Sequence, residues 1–480
     1  MPIFTKPIVI VGSGLSALML ARMVRTCLKE DTPILFIEQE STIGGQFRSF
    51  NYGRNRIFDY GMHIYYESCI PEIDRLFTDI FSEDQWNILE GNRKDIAGLF
   101  INNRLQQNTP YVDLRQCEPE FRKRCISELF LHIEKNLTCH NPLAKKFQNT
   151  AYGATLSQFG EYITEQVFVP VFEKLYETHP SLLAPLANYL TTINRIALFE
   201  PDMALELMHS EAFRSRICYP DQLNLPIQRD NDQRGFYPKT FGMARVIEQF
   251  RSILERENCQ FLTSSRVVSV TEKEGTISSI QTQQGEQAAK AIEVDRLYWT
   301  AGIPKLAKLL GISLKDMPYD QNNKDIYYVN MLLQTPPRMG ELYYFYCFDP
   351  SYRSFRVTNF SNYCPSAGSS QGFPICMEMW MRKEDPKELM KIIALAQKEL
   401  TRFGVLTEGG SVLFAKAEKV AAGGFPLPSI NNVQFLESAR DQIQQKKISN
   451  LEMFGVYSAK NTFFIKDILT DAYRKLGLDR

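Results

Sequence analysis

Apolar residues fall into two kinds of run along this chain. Near the start they are short and unbroken: Ile8-Val9-Ile10-Val11, then, after a helix-like stretch ending near Leu28, Ile34-Leu35-Phe36-Ile37. Unbroken runs of this length, bounded by turn residues, predict strands buried on both faces, as in a parallel sheet. Further on, Ser265–Val270 alternates as a strand does. From about 326 to 382 the pattern is again strand-like, in Ile326–Leu333, Leu342–Tyr346, Phe355–Phe360 and Ile375–Trp380. The segment from about 71 to 234 reads as largely helical, with runs such as Leu156–Phe168 and with Pro180, Pro185, Pro201 and Pro220 as punctuation.

Between the first two strands stands Gly12-Ser13-Gly14-Leu15-Ser16-Ala17, and the second strand stops on Glu38. Strand, glycine turn, helix, strand and acid in this order form the dinucleotide-binding βαβ unit. Gly12 permits the tight turn. Gly14 leaves room for a pyrophosphate on the helix N-terminus, and Ala17 is the small residue where helix and strand pack closely. Glu38 can accept hydrogen bonds from ribose hydroxyls, and its charge disfavours a 2′-phosphate, hence NADP. This unit alone would also suit an NAD-dependent dehydrogenase.

Six residues after Glu38 come Gly44-Gly45-Gln46-Phe47-Arg48, then Phe58-Asp59-Tyr60-Gly61-Met62-His63-Ile64-Tyr65. This arrangement resembles the flavoproteins grouped with amine oxidases, protoporphyrinogen oxidase, phytoene desaturases and UDP-galactopyranose mutase. The resemblance implies FAD rather than NAD, with the Asp59–His63 segment beside the isoalloxazine ring. Many members have arginine where this chain has Gln46, so Arg48 is the candidate substitute for that phosphate contact. The resemblance also implies that Val267 contacts the adenine through its backbone, and that Thr300-Ala301 return to the cofactor. The Gly455-Val456-Tyr457 turn, before a helix starting around Phe464, would lie at the flavin pyrimidine edge, although relatives often carry glycine–arginine there. Gln39 completes the expected cofactor contacts.

The expected fold is α/β (α+β overall), with a discontinuous Rossmann-like FAD-binding domain of residues 1–70, 235–310 and 420–480. Residues 71–234 and 311–419 would form an interleaved substrate domain of helices and an antiparallel sheet roofing the substrate cavity. At 480 residues and 44% apolar content, two lobes can each fill a core. Net charge is zero and no long basic run occurs, which gives no argument for nucleic acid. The ten cysteines show no metal-ligand spacing to the five histidines and read as reduced thiols of a cytoplasmic protein. Some relatives tether flavin through a cysteine near the C-terminal motif. No cysteine follows Cys376, so non-covalent FAD is expected. No transmembrane helix is predicted, and peripheral membrane contact stays open.

In a flavoenzyme the isoalloxazine carries the chemistry and the protein orients it. His63 is the expected flavin-facing residue, with Tyr65 and Tyr66 as candidates to line the cavity. Arg356, on a roof strand, is the expected anion-binding residue. Arg214, Arg216, Tyr219 and Asp221 form a further candidate cavity element, and no hydrolase elbow, P-loop or zinc motif is present. The preferred function is an FAD-dependent oxidoreductase moving hydride from an organic small molecule to flavin N5. The alternative is a redox-neutral nucleotide-sugar mutase, in which reduced N5 attacks the anomeric carbon. A non-catalytic flavin-binding protein is the reading from another class.

Overall fold

The computed structural model describes residues 6–54, 56–138, 146–190, 194–226, 233–322, 324–369, 371–420, 427–460 and 462–479. The class is α/β overall, and the chain divides into two compact units, each built from non-contiguous segments. The first comprises Met1–Ile88, Gln233–Tyr319 and Gln434–Arg480; the second comprises Leu89–Asp232 and Asp320–Val433.

The first unit is organised by a five-stranded parallel sheet in the order Cys259–Leu262, Ile34–Ile37, Ile8–Val11, Arg296–Trp299, Leu451–Met453. Ile8, Val9 and Ile10 are fully buried, because both faces of the sheet are covered. The helix Leu15–Arg22 packs with the helices Ala244–Arg256 and Ile465–Lys475. Val9, Val11, Leu297 and Trp299 share a core with Val267 and Ile280 of a three-stranded antiparallel sheet and with Leu306, Ala439 and Ile443.

Residues 71–88, expected in the substrate domain, fall in this first unit. The helix Pro71–Thr78 lays Phe77 flat on Tyr65 (centroids 3.8 Å apart), and Asp74 accepts hydrogen bonds from the Tyr65 hydroxyl (2.9 Å) and the Ser68 N–H (2.7 Å). Trp86–Leu89 then joins Tyr65–Tyr66 and Gly235–Pro238 in one small sheet. Tyr65, fully buried in that stack, is therefore core rather than cavity lining.

The second unit carries a seven-stranded sheet in the order Val412–Lys419, Asp325–Leu333, Phe373–Met381, Ser354–Asn359, Tyr344–Cys347, Ala97–Ile101, Arg104–Gln106. The four strands expected between 326 and 382 are all in it. The last two come from the segment expected to be largely helical, and Ala97–Ile101 runs parallel to Tyr344–Cys347. Their hairpin turns at Asn102-Asn103, both with positive φ (52° and 55°), the conformation of a type I′ turn that asparagine tolerates. A side chain at Gly98 would lie 2.6 Å from the Gln106 carbonyl oxygen and Leu342 Cδ1, so close pairing there needs glycine. Beyond the sheet, Cys125, Leu129, Phe159, Ile163, Phe168 and Phe172 pack a helical core.

Asp59 joins three pieces of the first unit. Its carboxylate, with no exposed surface, accepts from Ser49 Oγ (2.5 Å), the Tyr237 hydroxyl (2.5 Å) and the Met243 N–H (2.9 Å). Burial raises its pKa against the pull of these three hydrogen bonds. Removing the carboxylate takes the acceptor from three donors at once, those of Tyr237 and Met243 buried and that of Ser49 half-buried. Asp59→Ala should therefore lose about 2–4 kcal/mol of stability, and Asp59→Asn distinctly less, in a urea titration. An unmoved Asp59→Ala midpoint would show that the joint is dispensable.

Candidate cofactor-binding site

The carboxyl ends of the parallel strands bring the expected glycines together. Gly12 turns out of the first strand with φ of 103°, donating its N–H to the Ile37 carbonyl (2.9 Å). A Cβ there would sit 2.3 Å from Thr300 Oγ1, and that hydroxyl is itself held on the Val11 carbonyl (2.8 Å). Gly455, at φ of 103°, packs against the same threonine, its notional Cβ 3.3 Å from the Thr300 carbonyl oxygen. Thr300 thus works as a spacer between two turns.

Gly14 differs. Its backbone is extended (φ −64°, ψ 167°), so conformation does not demand glycine, and a Cβ there would meet nothing within 4 Å. The residue is the N-cap of the helix Leu15–Arg22 and brings no capping side chain to the first turn. Its lack of a side chain preserves space beside a helix N-terminus, where backbone donors and the helix dipole favour an anion. Ala17 is fully buried and Leu15 nearly so, whereas Ser16 is partly exposed. Leu15 and Ala17 can therefore offer only backbone atoms.

The paired glycines close on this turn. Gly44, at φ of 110°, donates to the Ser13 carbonyl (2.8 Å), and a Cβ on Gly45 would stand 3.1 Å from Gly14 Cα. Arg48 braces the pair through Nε to the Gly45 carbonyl (2.8 Å), while its guanidinium lies over Tyr60. Gln46 and Gln39 are exposed.

Glu38 is held from its own side of the turn. Ser13 donates both its N–H (3.0 Å) and its hydroxyl (2.6 Å) to Oε2, and the Glu40 N–H donates to Oε1 (2.9 Å). Ser13 was not among the expected site residues, although its place between the two glycines was a usable signal. The Glu38 backbone bonds Leu262 on one side and Ser265 on the other, which sets the strand Ser265–Lys273 beside it. Val267 buries its side chain in the core, and the ladder slips between Val267 and Ser269. Such a bulge leaves backbone groups outside the ladder.

The remaining expected residues divide. Gly61 has φ of 82°, Met62 and His63 are partly exposed, and the His63 ring meets Phe47 edge-on at 5.1 Å. Ala301 is exposed after the Thr300 spacer. Tyr457 has positive φ (62°), and burial raises its hydroxyl pKa to about 12. Asp59, expected to touch the cofactor, instead directs both oxygens into the protein joint described above.

Arg356 belongs to the second unit and pairs with Glu378 at 2.6 Å, the two standing directly opposite on neighbouring strands. Burial works against the guanidinium's charge, but Glu378 and the Tyr346 hydroxyl outweigh it and raise the pKa. An arginine neutralised this way offers a weak field to an incoming anion. The other expected arginines are likewise engaged: Arg214 with Glu211, and Arg216 with the Gln158 and Ala212 carbonyls. Asp221 accepts from the Leu223 N–H.

Among known families, one described as an NAD(P)-binding Rossmann-like domain matches residues 10–80. A crystal structure of reduced UDP-galactopyranose mutase superposes with a TM-score of 0.72 at 18% identity, covering 99% of this chain and 96% of that one. A protein from Exiguobacterium described as a candidate protoporphyrinogen oxidase gives 0.65 at 14%, covering 99% of both chains. Putrescine oxidase gives 0.59 at 11%, again over 99% of both. This chain has their fold. The resemblance that began at Gly12–Glu38 is borne out along the whole chain at the level of architecture. No curated protein matches the sequence.

The two turn glycines should respond differently to the same small change. Gly12→Ala forces a clash with Thr300 at a positive φ and should cost about 2 kcal/mol or more, whereas Gly14→Ala should stay within about 1 kcal/mol of wild type. Chemical denaturation of both variants checks this, and equal losses would mean that Gly14 is also structural.

Proposed function

We propose that the protein is an FAD-dependent oxidoreductase that holds its flavin non-covalently and acts on an organic small molecule. The observation that carries this reading is the contrast at the first turn. Gly12 is closed by Thr300, Gly14 opens on free space at a helix N-terminus, and Glu38 is fixed by Ser13 at the end of the next strand. These are the features a pyrophosphate and an adjoining ribose need.

In this reading Gly12, Gly14, Leu15, Ser16 and Ala17 receive the pyrophosphate, with Gly44, Gly45, Gln46 and Arg48 closing over it. Glu38 and Gln39 take the ribose, and the Val267 backbone takes the adenine. Gly61, Met62, His63, Thr300, Ala301, Gly455 and Tyr457 border the ring, His63 through a side chain already oriented by Phe47. Bound there, FAD supplies the acceptor for a hydride. The protein's part is to hold it and to shield it from water.

Nucleotide-sugar mutase chemistry is the second reading. It is favoured by the TM-score of 0.72 to the mutase, a likeness of fold. Against it, a nucleotide sugar brings a diphosphate, and Arg356 is already neutralised by Glu378. We therefore place oxidoreductase first. Among the described residues no helix is long and apolar enough to cross a membrane. A cytoplasmic setting belongs to the same proposal.

Purified protein should show flavin absorbance, and denaturation should release all of it. After anaerobic dithionite reduction, prompt reoxidation by air would support an oxidase. Persistence in air, with turnover of a nucleotide sugar and no net redox change, would transfer the assignment to the mutase. No flavin, even after reconstitution with FAD, would refute both. Gly14→Val should fold and remain colourless. His63→Ala should keep FAD but slow its reduction about tenfold or more, and unchanged kinetics would reduce His63 to packing.

A further inference from the structure

Ser13 stands between Gly12 and Gly14 and has no exposed surface. It spends both of its donors on one atom: its N–H (3.0 Å) and its hydroxyl (2.6 Å) go to Glu38 Oε2. Its carbonyl accepts from the Gly44 N–H (2.8 Å). One buried residue therefore links the first glycine turn, the paired glycines and the acid at the end of the second strand. A serine hydroxyl carries one proton and an ionised carboxylate has none to give, so the proton of the short bond belongs to Ser13. That proton is closed to a ligand.

A carboxylate offers about four acceptor positions, two on each oxygen. On Glu38, Ser13 fills both positions of Oε2, and the Glu40 N–H (2.9 Å) fills one of Oε1. Among the described residues no further donor is hydrogen-bonded to this carboxylate, so one position on Oε1 is left. Read from the sequence, Glu38 could accept from more than one ribose hydroxyl. The folded turn leaves it room for a single one. Swinging the carboxylate to free Oε2 would strand two donors that have no exposed surface, which costs as much as the bond so gained.

We propose that Ser13 is a positioning residue that fixes Glu38 with one acceptor position to spare, so that the carboxylate recognises one hydroxyl of the cofactor ribose and not both. The adenosine end is then selected through a single hydroxyl at this acid. This rests on the flavin reading above and adds to it a residue outside the expected contacts, with a stated selectivity.

The test uses apoprotein, FAD fluorescence as the binding signal, and ADP, 2′-deoxy-ADP and 3′-deoxy-ADP as competitors, for wild type and for Glu38→Ala. In wild type one deoxynucleotide should bind about tenfold or more weaker than ADP, the scale of a hydrogen bond to a charged group. In Glu38→Ala that difference should fall to within about twofold. For the other deoxynucleotide, the ratio to ADP should agree between the two proteins to within about twofold. Removing the Ser13 hydroxyl frees a position on Oε2. In Ser13→Ala the second hydroxyl should therefore acquire a contribution of about threefold or more that disappears in the Ser13→Ala, Glu38→Ala double variant. A Ser13 that only supports the fold would instead weaken all three nucleotides by one factor and leave their ratios unmoved, which would overturn its positioning role. Unfolding midpoints check each variant, and the comparison of wild type with Glu38→Ala stands by itself if Ser13→Ala does not fold. Dependence of both hydroxyls on Glu38 in wild type, or of neither, would overturn the proposal. Wild-type apoprotein that binds neither FAD nor ADP would overturn the flavin reading and this proposal with it, a result distinct from nucleotide binding without single-hydroxyl selectivity.

Discussion

At the carboxyl ends of the central strands, backbone must approach backbone with no side chain between. Gly12 and Gly455 each turn with φ of 103° against Thr300, and Gly44 and Gly45 press onto Ser13 and Gly14. The contact distances leave no room for alternatives at Gly12, where even a methyl group would lie 2.3 Å from an oxygen. Because these turns are locked, the one glycine that is not locked becomes informative. Space beside Gly14 is kept open within a region that is otherwise tightly filled. Open space at a helix N-terminus, beside turns packed this closely, has the form of an anion site.

Two carboxylates support this arrangement in different ways. Glu38, buried but for a small part of its surface, is tied to the glycine turn through Ser13. Asp59 lies wholly inside and ties the Ser49 strand to Tyr237 and to the start of the helix Ala244–Arg256. Sequence position gave them equal standing as cofactor residues. The difference comes from partners far apart in the chain, since Tyr237 and Met243 reach Asp59 across more than 170 residues. Only the fold could reveal that its oxygens were occupied.

The second unit makes the same point with a cation. Arg356 was expected on a strand, and it is on one. Strand pairing then decides its chemistry: the register sets Glu378 directly opposite, so the guanidinium closes its charge within the sheet. Register depends on how distant strands align, and local alternation of apolar and polar residues does not specify it across a long connection.

What the sequence determined by itself was the βαβ unit, the four strands between 326 and 382, and the class of fold. Each of these is a local signal: unbroken apolar runs for buried strands, glycine for a positive φ, and an acid at a strand end. The Ala97–Ile101 hairpin was legible only in part, since Asn102-Asn103 suits its turn while its parallel partner lies some 245 residues away. Tertiary structure alone decided that Tyr65 is core, that Asp59 is a joint, that Thr300 is a spacer and that Ser13 holds Glu38. Those roles depend on which distant atoms complete each buried donor, acceptor or void, and that is settled by packing in three dimensions rather than by neighbours along the chain.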